Sequence, residues 1–230
     1  MYRQVFKRIL DIICALLALT VFCWLYIIIA VLVRIKLGSP VLFKQIRPGM
    51  KGKDGREKLF TLYKFRTMTD EKDADGNLLP DEVRLTKFGA LLRSTSLDEL
   101  PEAINILKGD MSVIGPRPQL VRDMVFMTEE QRRRHDVRPG LSGLAQVRGR
   151  NAISWENKLA ADLEYIEHIT FFEDVKIVMQ TIGKFLKREG ITEEGEATAR
   201  DFGDYLLEEG IIEKAEYDTK QNEAKELIGV

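Results

Sequence analysis

Asp98 and Glu99 stand side by side in the stretch RSTSLDELPEAINILKGDMSVIGPRP, residues 93–118. Ser96 and Glu99 have the S-x-x-E spacing of a capping box. Pro101 has no N–H, so a helix tolerates it only in the first turn. The two signals together predict a helix N-terminus near Ser96 to Asp98, where free N–H groups and the positive dipole end gather. Such an end stabilises ionised carboxylates and draws in phosphate. Adjacent helical residues point about 100° apart, so the two acids do not share one proton. They suit separate jobs, for instance a nucleophile and a metal ligand or base. The stretch ends in Gly115-Pro116-Arg117-Pro118. Prolines on both sides stiffen the backbone around one arginine, and a held guanidinium is a fork for phosphate or diphosphate. The plainer reading is a solvated helix cap followed by a turn, since acids are common in any first helical turn.

Other elements must position these groups. KLFTLYKFRTM at 58–68 reads as a strand, with Lys64 and Arg66 on one face at spacing two. Two adjacent cations suit a nucleotide diphosphate; a polar strand edge is the alternative. VLFKQIRPG before it reads as an extended piece running into a turn at Pro48-Gly49. Residues 70–82 come close to calcium-loop spacing, but the first position is Glu71, Pro80 interrupts the loop, and a strand precedes it. A solvated acidic turn at Asp75-Gly76 is the better expectation. Residues 83–93 are expected as a short amphipathic helix, and 119–134 as a longer one closed by Arg132, Arg133 and Arg134. Arg138-Pro139-Gly140 repeats the held-arginine device, and Gly143 and Gly149 with Arg148 and Arg150 make a loop open to a ligand or to an ordinary turn.

Residues 12–33, IICALLALTVFCWLYIIIAVLV, carry no charge. About 20 apolar residues suffice to cross a bilayer, so membrane insertion is expected over a buried core helix. The run is too long for a signal peptide and lacks a cleavage site. Phe172, Val175, Val178, Met179, Ile182, Phe185 and Leu186 form one helical stripe edged with lysine. That stripe suits either a core or a membrane interface, and beside an inserted segment the interface is expected. Beyond Gly190 the chain turns acidic. One short helix over Phe202 to Ile212 and a mobile tail are expected there.

The chain has 230 residues, with 35 Lys and Arg against 36 Asp and Glu. That length gives one globular domain plus something extra. The near-zero net charge argues against a nucleic-acid partner. Cys14 and Cys23 lie in the apolar run, and His135 and His168 are far apart, so neither pair suggests a disulfide framework or a transition-metal site. These patterns predict an α+β fold, mostly helical. Residues 1–40 form a membrane-inserted helix and its flanks, 41–190 a compact domain with a short β element and interfacial helices, and 191–230 an acidic tail.

YKFRTM, LDELP, LKGDMS, IGPRP and HDVRPGLSGLAQVRGRN occur in that order between residues 63 and 151. In this order they resemble the monotopic phosphoglycosyl transferases of bacteria, and most nearly the small members of the diacetylbacillosamine phosphate transferase type. The likeness runs from Tyr2 to about Arg188. It implies transfer of a sugar 1-phosphate from a UDP-sugar, preferably N-acetylated, to polyprenyl phosphate, with release of UMP. Asp98 would be the nucleophile, and Glu99 would help to hold Mg²⁺ or activate the acceptor. Both acids are candidate metal ligands, because Mg²⁺ takes one or two carboxylates with substrate phosphates. Lys64, Arg66, Arg93 and Arg117 would neutralise charge during phosphoryl transfer. Arg138, Arg148 and Arg150 would help to bind the nucleotide sugar.

The resemblance also implies a place on the cytoplasmic face of the bacterial inner membrane. The lipid bilayer would be a partner, with a second copy or downstream glycosyltransferases as further ones. Family members bend the apolar segment at a Ser-Pro pair so that it returns to the side it entered. Here Cys23-Trp24 stands about where that pair belongs. Basic flanks at both ends favour re-entry over spanning. Asp11 would prefer the interface, while Thr20 bonding a carbonyl and Trp24 anchoring near headgroups would permit a bend without proline. A membrane-tethered scaffold and an anionic-lipid-binding module are the alternatives from other classes. The joint presence of Asp98, Glu99 and Arg117 favours the enzyme.

Overall fold

The computed structural model describes residues 1–149, 153–187 and 200–229. Helices predominate beside two small sheets, which is the expected α+β class. A π-helical turn over Tyr2–Phe6 leads into α1, Lys7–Val21, and α2, Cys23–Leu37. The break falls at Phe22, whose backbone leaves the helical region (φ −100°, ψ 13°), and the two arms are bent by 64°. The bend needs no proline. Thr20 Oγ1 donates to the carbonyls of Leu16 and Leu17, as the sequence suggested, at 2.8 and 3.3 Å. Such back-bonding bends helices. Among the described residues no single helix is long and apolar enough to cross a membrane.

Both ends of the bent pair are fastened to one folded body. Arg8 donates to the carbonyls of Ile106 and Leu107 at 2.6 and 2.9 Å. Asp11 does not sit at an open interface as expected. It is buried, accepting from Ser112 Oγ and Val113 N at 2.9 Å each, because those donors need a partner inside the fold. At the far end Ile29, Val33 and Leu37 pack against Phe65 and Leu92. Each such buried aliphatic side chain contributes about 1.5–3 kcal/mol.

Strands β1, Leu42–Lys51, and β2, Glu57–Phe65, form an antiparallel hairpin. The expected turn at Pro48-Gly49 lies inside β1 instead, where the register shifts between Pro48 and Lys51. A bulge tolerates a residue without an N–H. The chain reverses over Gly52–Arg56, with Gly55 at positive φ. Asp73 Oδ1 accepts from the N–H groups of Asp75 and Asn77, giving the acidic turn expected there. Residues 83–93 are not one helix. They divide between α3, Asp81–Arg84, and α4, Lys87–Ser94, because Thr86 caps the second helix through Gly89 N.

A 3-10 turn, Leu97–Glu99, precedes α5, Glu102–Lys108. Short parallel strands β3, Ser112–Ile114, and β4, Gly140–Ser142, then bring the two held-arginine segments together. The approach is so close that a Cβ on Gly140 would lie 2.1 Å from Gly115 N. The helix expected over 119–134 is absent. Only α6, Val121–Met124, and a 3-10 turn, Gln131–Asp136, form. Asp123 caps Leu120 N, and Thr128 and Gln131 bond each other's backbone, so side chains satisfy groups a helix would have used.

The rest is α7, Leu144–Arg148, α8, Trp155–Glu167, α9, Phe171–Lys187, α10, Phe202–Glu208, and α11, Lys214–Ile228. On α9 the predicted stripe mostly faces outward: Phe172, Val175, Met179, Ile182 and Phe185 are exposed, while Ile177 is fully buried. The C-terminus differs from the expectation. Where the sequence suggested a mobile tail beyond one short helix, α10 and α11 pack on α6 and α8 through Phe202, Leu206 and Ala224.

Glu57 ties β2 to the turn that follows α6. It accepts from Arg132 at 2.9 and 2.6 Å and from His135 Nδ1 at 3.2 Å. Burial pushes His135 down to about 4, against the pull of Glu57. Burial would raise Glu57, but the hydrogen bonds from His135 and Arg132 hold it below the usual carboxylate range. Between the ordinary histidine value and about pH 4, the unfolded chain therefore binds a proton that the folded chain refuses. Stability falls as pH drops through that window, by at most about 1.4 kcal/mol per pH unit for this group. Urea unfolding of wild type and His135→Gln between pH 7 and 4.5 checks this. The variant should have the flatter dependence, and equal slopes would refute the assignment.

Candidate functional site

The elements that meet at the acidic pair are β2, the 3-10 turn before α5, and the loop after β3. Ser96 enters the turn in the left-handed conformation, φ 51°. Non-glycine residues held there cost about 1 kcal/mol or more and cluster at functional sites. The capping box does not form, since Ser96 makes no side-chain cap and Glu99 turns elsewhere. Lys64 Nζ donates to Glu99 Oε1 at 2.8 Å, and Arg117 Nη2 donates to the same oxygen. A long-range pair of charge-assisted bonds has displaced a local one.

The two acids consequently differ. Asp98 is buried and accepts no hydrogen bond from any described residue. Burial, then the charge of Glu99, pushes Asp98 up to about 6, although Lys64, Arg93 and Arg117 pull the other way. Burial would raise Glu99 too, but the charges of Arg117 and Lys64 overrule it and hold its carboxyl far below the usual range. One carboxylate is clamped and the other is uncommitted, which suits two separate roles.

A third acid, not singled out in the sequence, lies beneath them. Glu102 is 1% exposed, and its Oε1 is 3.2 Å from Lys64 Nζ. That is ion-pair distance without hydrogen-bond geometry, so the oxygen has no hydrogen-bond partner. Burial pushes Glu102 up to about 7. Its spacing of three from Glu99 placed it on the same helical face, and that was the available signal.

Arg117 is positioned through its backbone. Arg134 Nη2 donates to the Arg117 carbonyl at 2.6 Å, and Arg47 Nη1 donates to the Pro118 carbonyl at 3.2 Å. Arg47 is half-buried, whereas Arg134 is fully buried and backed by Asp162 at 2.6 Å. Burial, reinforced by the charge of Arg117, pushes Arg47 down to about 10. Neither residue stood out from spacing, although Arg47 lies in the extended piece VLFKQIRPG.

Of the remaining predicted cations, Arg93 is at the site. It bonds Thr67 Oγ1 through Nε at 3.1 Å and lies within electrostatic reach of Asp98. Arg66 is not. Strand β2 ends at Phe65, so the alternation that would align Arg66 with Lys64 stops, and Arg66 bonds the carbonyls of Met68 and Ser39. Arg138 bonds the Gly109 carbonyl and lines a different cavity with Arg3, Lys7 and Arg8. Arg148 is on the surface, paired with Glu164 at 2.6 and 2.5 Å. Arg150 lies outside the described residues.

Among the described residues no three His, Cys, Asp or Glu side chains gather around a metal-sized space. Mg²⁺ with phosphate ligands needs only one or two carboxylates. Because both cations bond Oε1 of Glu99, its Oε2 and both oxygens of Asp98 carry no hydrogen bond among the described residues. That hard-oxygen set fits Mg²⁺ completed by substrate phosphate.

Comparison with known proteins adds an independent line. A family model described as bacterial sugar transferase matches residues 2–188. An uncharacterised sugar transferase, EpsL, of Bacillus subtilis (strain 168) is 51% identical over 199 residues, covering 86% of this chain and 96% of that protein. A UDP-glucose:undecaprenyl-phosphate glucose-1-phosphate transferase of Caulobacter vibrioides is 35% identical over 190 residues, 78% of this chain and 69% of that protein. A UDP-N-acetylgalactosamine-undecaprenyl-phosphate N-acetylgalactosaminephosphotransferase of Aeromonas hydrophila is 37% identical over 191 residues, 78% of this chain and 43% of that protein.

The buried Arg134–Asp162 pair gives a direct stability test. Arg134→Met leaves Asp162 buried without a counter-charge, which costs about 3–5 kcal/mol. Arg134→Met with Asp162→Leu should recover most of that loss in urea unfolding. A double variant as unstable as the single would argue against the pairing.

Proposed function

This chain belongs to the bacterial sugar transferase family, and from that premise we propose that it transfers a sugar 1-phosphate from a UDP-sugar to undecaprenyl phosphate. The observation that carries the mechanism is the contrast between a free Asp98 and a clamped Glu99. Asp98 attacks the phosphorus that bears the sugar. The bond from that phosphorus to the bridging oxygen breaks, and UMP leaves with that oxygen. The phosphosugar then sits on Asp98 as an acyl phosphate. An oxygen of the lipid phosphate attacks the same phosphorus and frees Asp98, giving polyprenyl diphosphosugar. Two steps let one site serve a soluble donor and a lipid acceptor in turn.

Lys64, Arg93 and Arg117 supply positive charge where phosphoryl transfer develops negative charge. Arg117 presents a planar fork whose backbone is already held, so little ordering remains to be done on binding. Asp98 and Glu99 are the residues that would hold Mg²⁺, which when bound would neutralise the diphosphate. We take the sugar to be N-acetylated, on the likeness to the small members of the family.

The helix pair enters the cytoplasmic leaflet of the inner membrane and returns to the side it came from. The reading is supported by its exposed apolar surface, the bend at Phe22 and the fastening of both ends to one body. The exposed face of α9, with Phe172 and Met179, lies in the same interface.

Purified protein with undecaprenyl phosphate, Mg²⁺ and a panel of UDP-sugars, N-acetylated and not, should release UMP. EDTA should stop release and added Mg²⁺ should restore it. Asp98→Asn should show neither turnover nor a phosphosugar adduct by intact mass. Arg117→Lys, which keeps the charge and loses the fork, should slow turnover at least about tenfold. A normal adduct in Asp98→Asn would remove that residue from the nucleophile's role, and full activity in chelator would remove the metal. Topology has its own test, an N-terminal tag on cells with an intact inner membrane. A periplasmic reagent should fail to reach the tag, and labelling would mean that the segment spans.

A further inference from the structure

Helices α10 and α11 lie beyond residue 188, where the family match ends, yet they dock beside the arginine loop. The link is one buried carboxylate. Asp123, 2% exposed, accepts Leu120 N through Oδ2 at 3.1 Å and Phe202 N through Oδ1 at 2.9 Å. Leu120 is three residues beyond Arg117, and Phe202 is the first residue of α10. Arg134 holds the carbonyl of Arg117, Arg47 holds that of Pro118, and Asp123 holds the N–H of Leu120. The third anchor is shared with the C-terminal segment.

Other contacts seat that segment firmly. Arg122 pairs with Asp201 at 2.6 Å, and Trp155 Nε1 donates to the Arg200 carbonyl at 3.1 Å. Phe202 packs against Trp155 with ring centroids 5.0 Å apart. A Cβ on Gly203 would lie 2.5 Å from the buried Phe126 ring, so α10 is pressed onto the residues that follow α6.

We propose that Asp123 is a positioning residue through which the C-terminal helix pair fixes the arginine loop, making α10 and α11 a working part of the phosphate-binding site. The inference rests on the transferase reading for what Arg117 does. The alternative is that Asp123 is only a local cap and the helix pair only covers apolar surface. The two differ in what happens when α10 is displaced and Asp123 is left intact.

The test uses the full chain and compares Asp123→Asn, Gly203→Ala and Leu206→Ala. The two N–H groups bond different oxygens of Asp123, and Asn replaces one of those oxygens with an NH₂ donor, so one N–H loses its acceptor. Gly203→Ala forces α10 away from Phe126 and leaves Asp123 unchanged. Leu206→Ala trims a buried side chain of α10 and alters neither Asp123 nor the two N–H groups it accepts, so it serves as the control for lost stability. Hydrogen exchange of residues 117–121 should quicken at least about tenfold in the first two variants and stay near wild type in the third. The kcat for UMP release should fall about tenfold in the first two, with KM for the UDP-sugar changed much less. Unchanged exchange in Gly203→Ala overturns the proposal, as does a loosened loop with unchanged kcat, or an equal fall of kcat in Leu206→Ala. A wild type that releases no UMP would sink the transferase reading, and the exchange comparison would still report on the brace.

Discussion

Glu99 accepts cations from two elements far apart in the chain, Lys64 from β2 and Arg117 from the loop after β3. A half-buried carboxylate of this kind is favourable only when its charge is answered on the spot. The answer fixes the hairpin, the 3-10 turn and the proline-flanked loop with respect to one another. Asp98 inherits its setting from that arrangement. It lies within the field of the same cations and is bonded by none of them. Behind the loop the logic repeats, with Asp162 answering Arg134, which in turn holds the Arg117 carbonyl.

Much of this centre was legible locally. The acid pair, the early Pro101 and the bracketed Arg117 pointed to a place for phosphate, and the fold assembles these segments. The capping box failed for a reason local spacing does not carry. Glu99 had a better partner about 35 residues away in the chain, Lys64. Burial and charge complementarity decided the matter, and both are properties of the folded state.

The basic residues teach the same point more sharply. In the sequence Arg66, Arg117, Arg138 and Arg148 look alike, each beside a strand end, a proline or a glycine. In the fold they separate by what their guanidinium groups meet. Arg138 satisfies a backbone carbonyl, Arg66 satisfies two and pairs with the exposed Asp70, Arg148 meets a surface glutamate, and Arg117 alone among these four meets Glu99 of the acidic pair. The C-terminal region misled for a related reason. Its acidic composition suggested solvation, while a few apolar residues, among them Phe202, Leu206 and Ala224, join polar contacts such as Arg122–Asp201 to dock it.

The bend at Phe22 sets a length scale. Each arm of the pair has 15 residues, and at about 1.5 Å per residue an arm is about 22 Å long. A bilayer's hydrocarbon core is about 30 Å thick. In the re-entrant arrangement proposed above each arm would also lean, so the elbow would reach a depth well short of the far headgroups. Such a wedge would displace lipid from one leaflet and leave the other nearly undisturbed. The resulting asymmetry of area would favour membranes already curved toward the protein's own side. Where the enzyme gathers along a cell would then depend on membrane shape as well as on lipid chemistry.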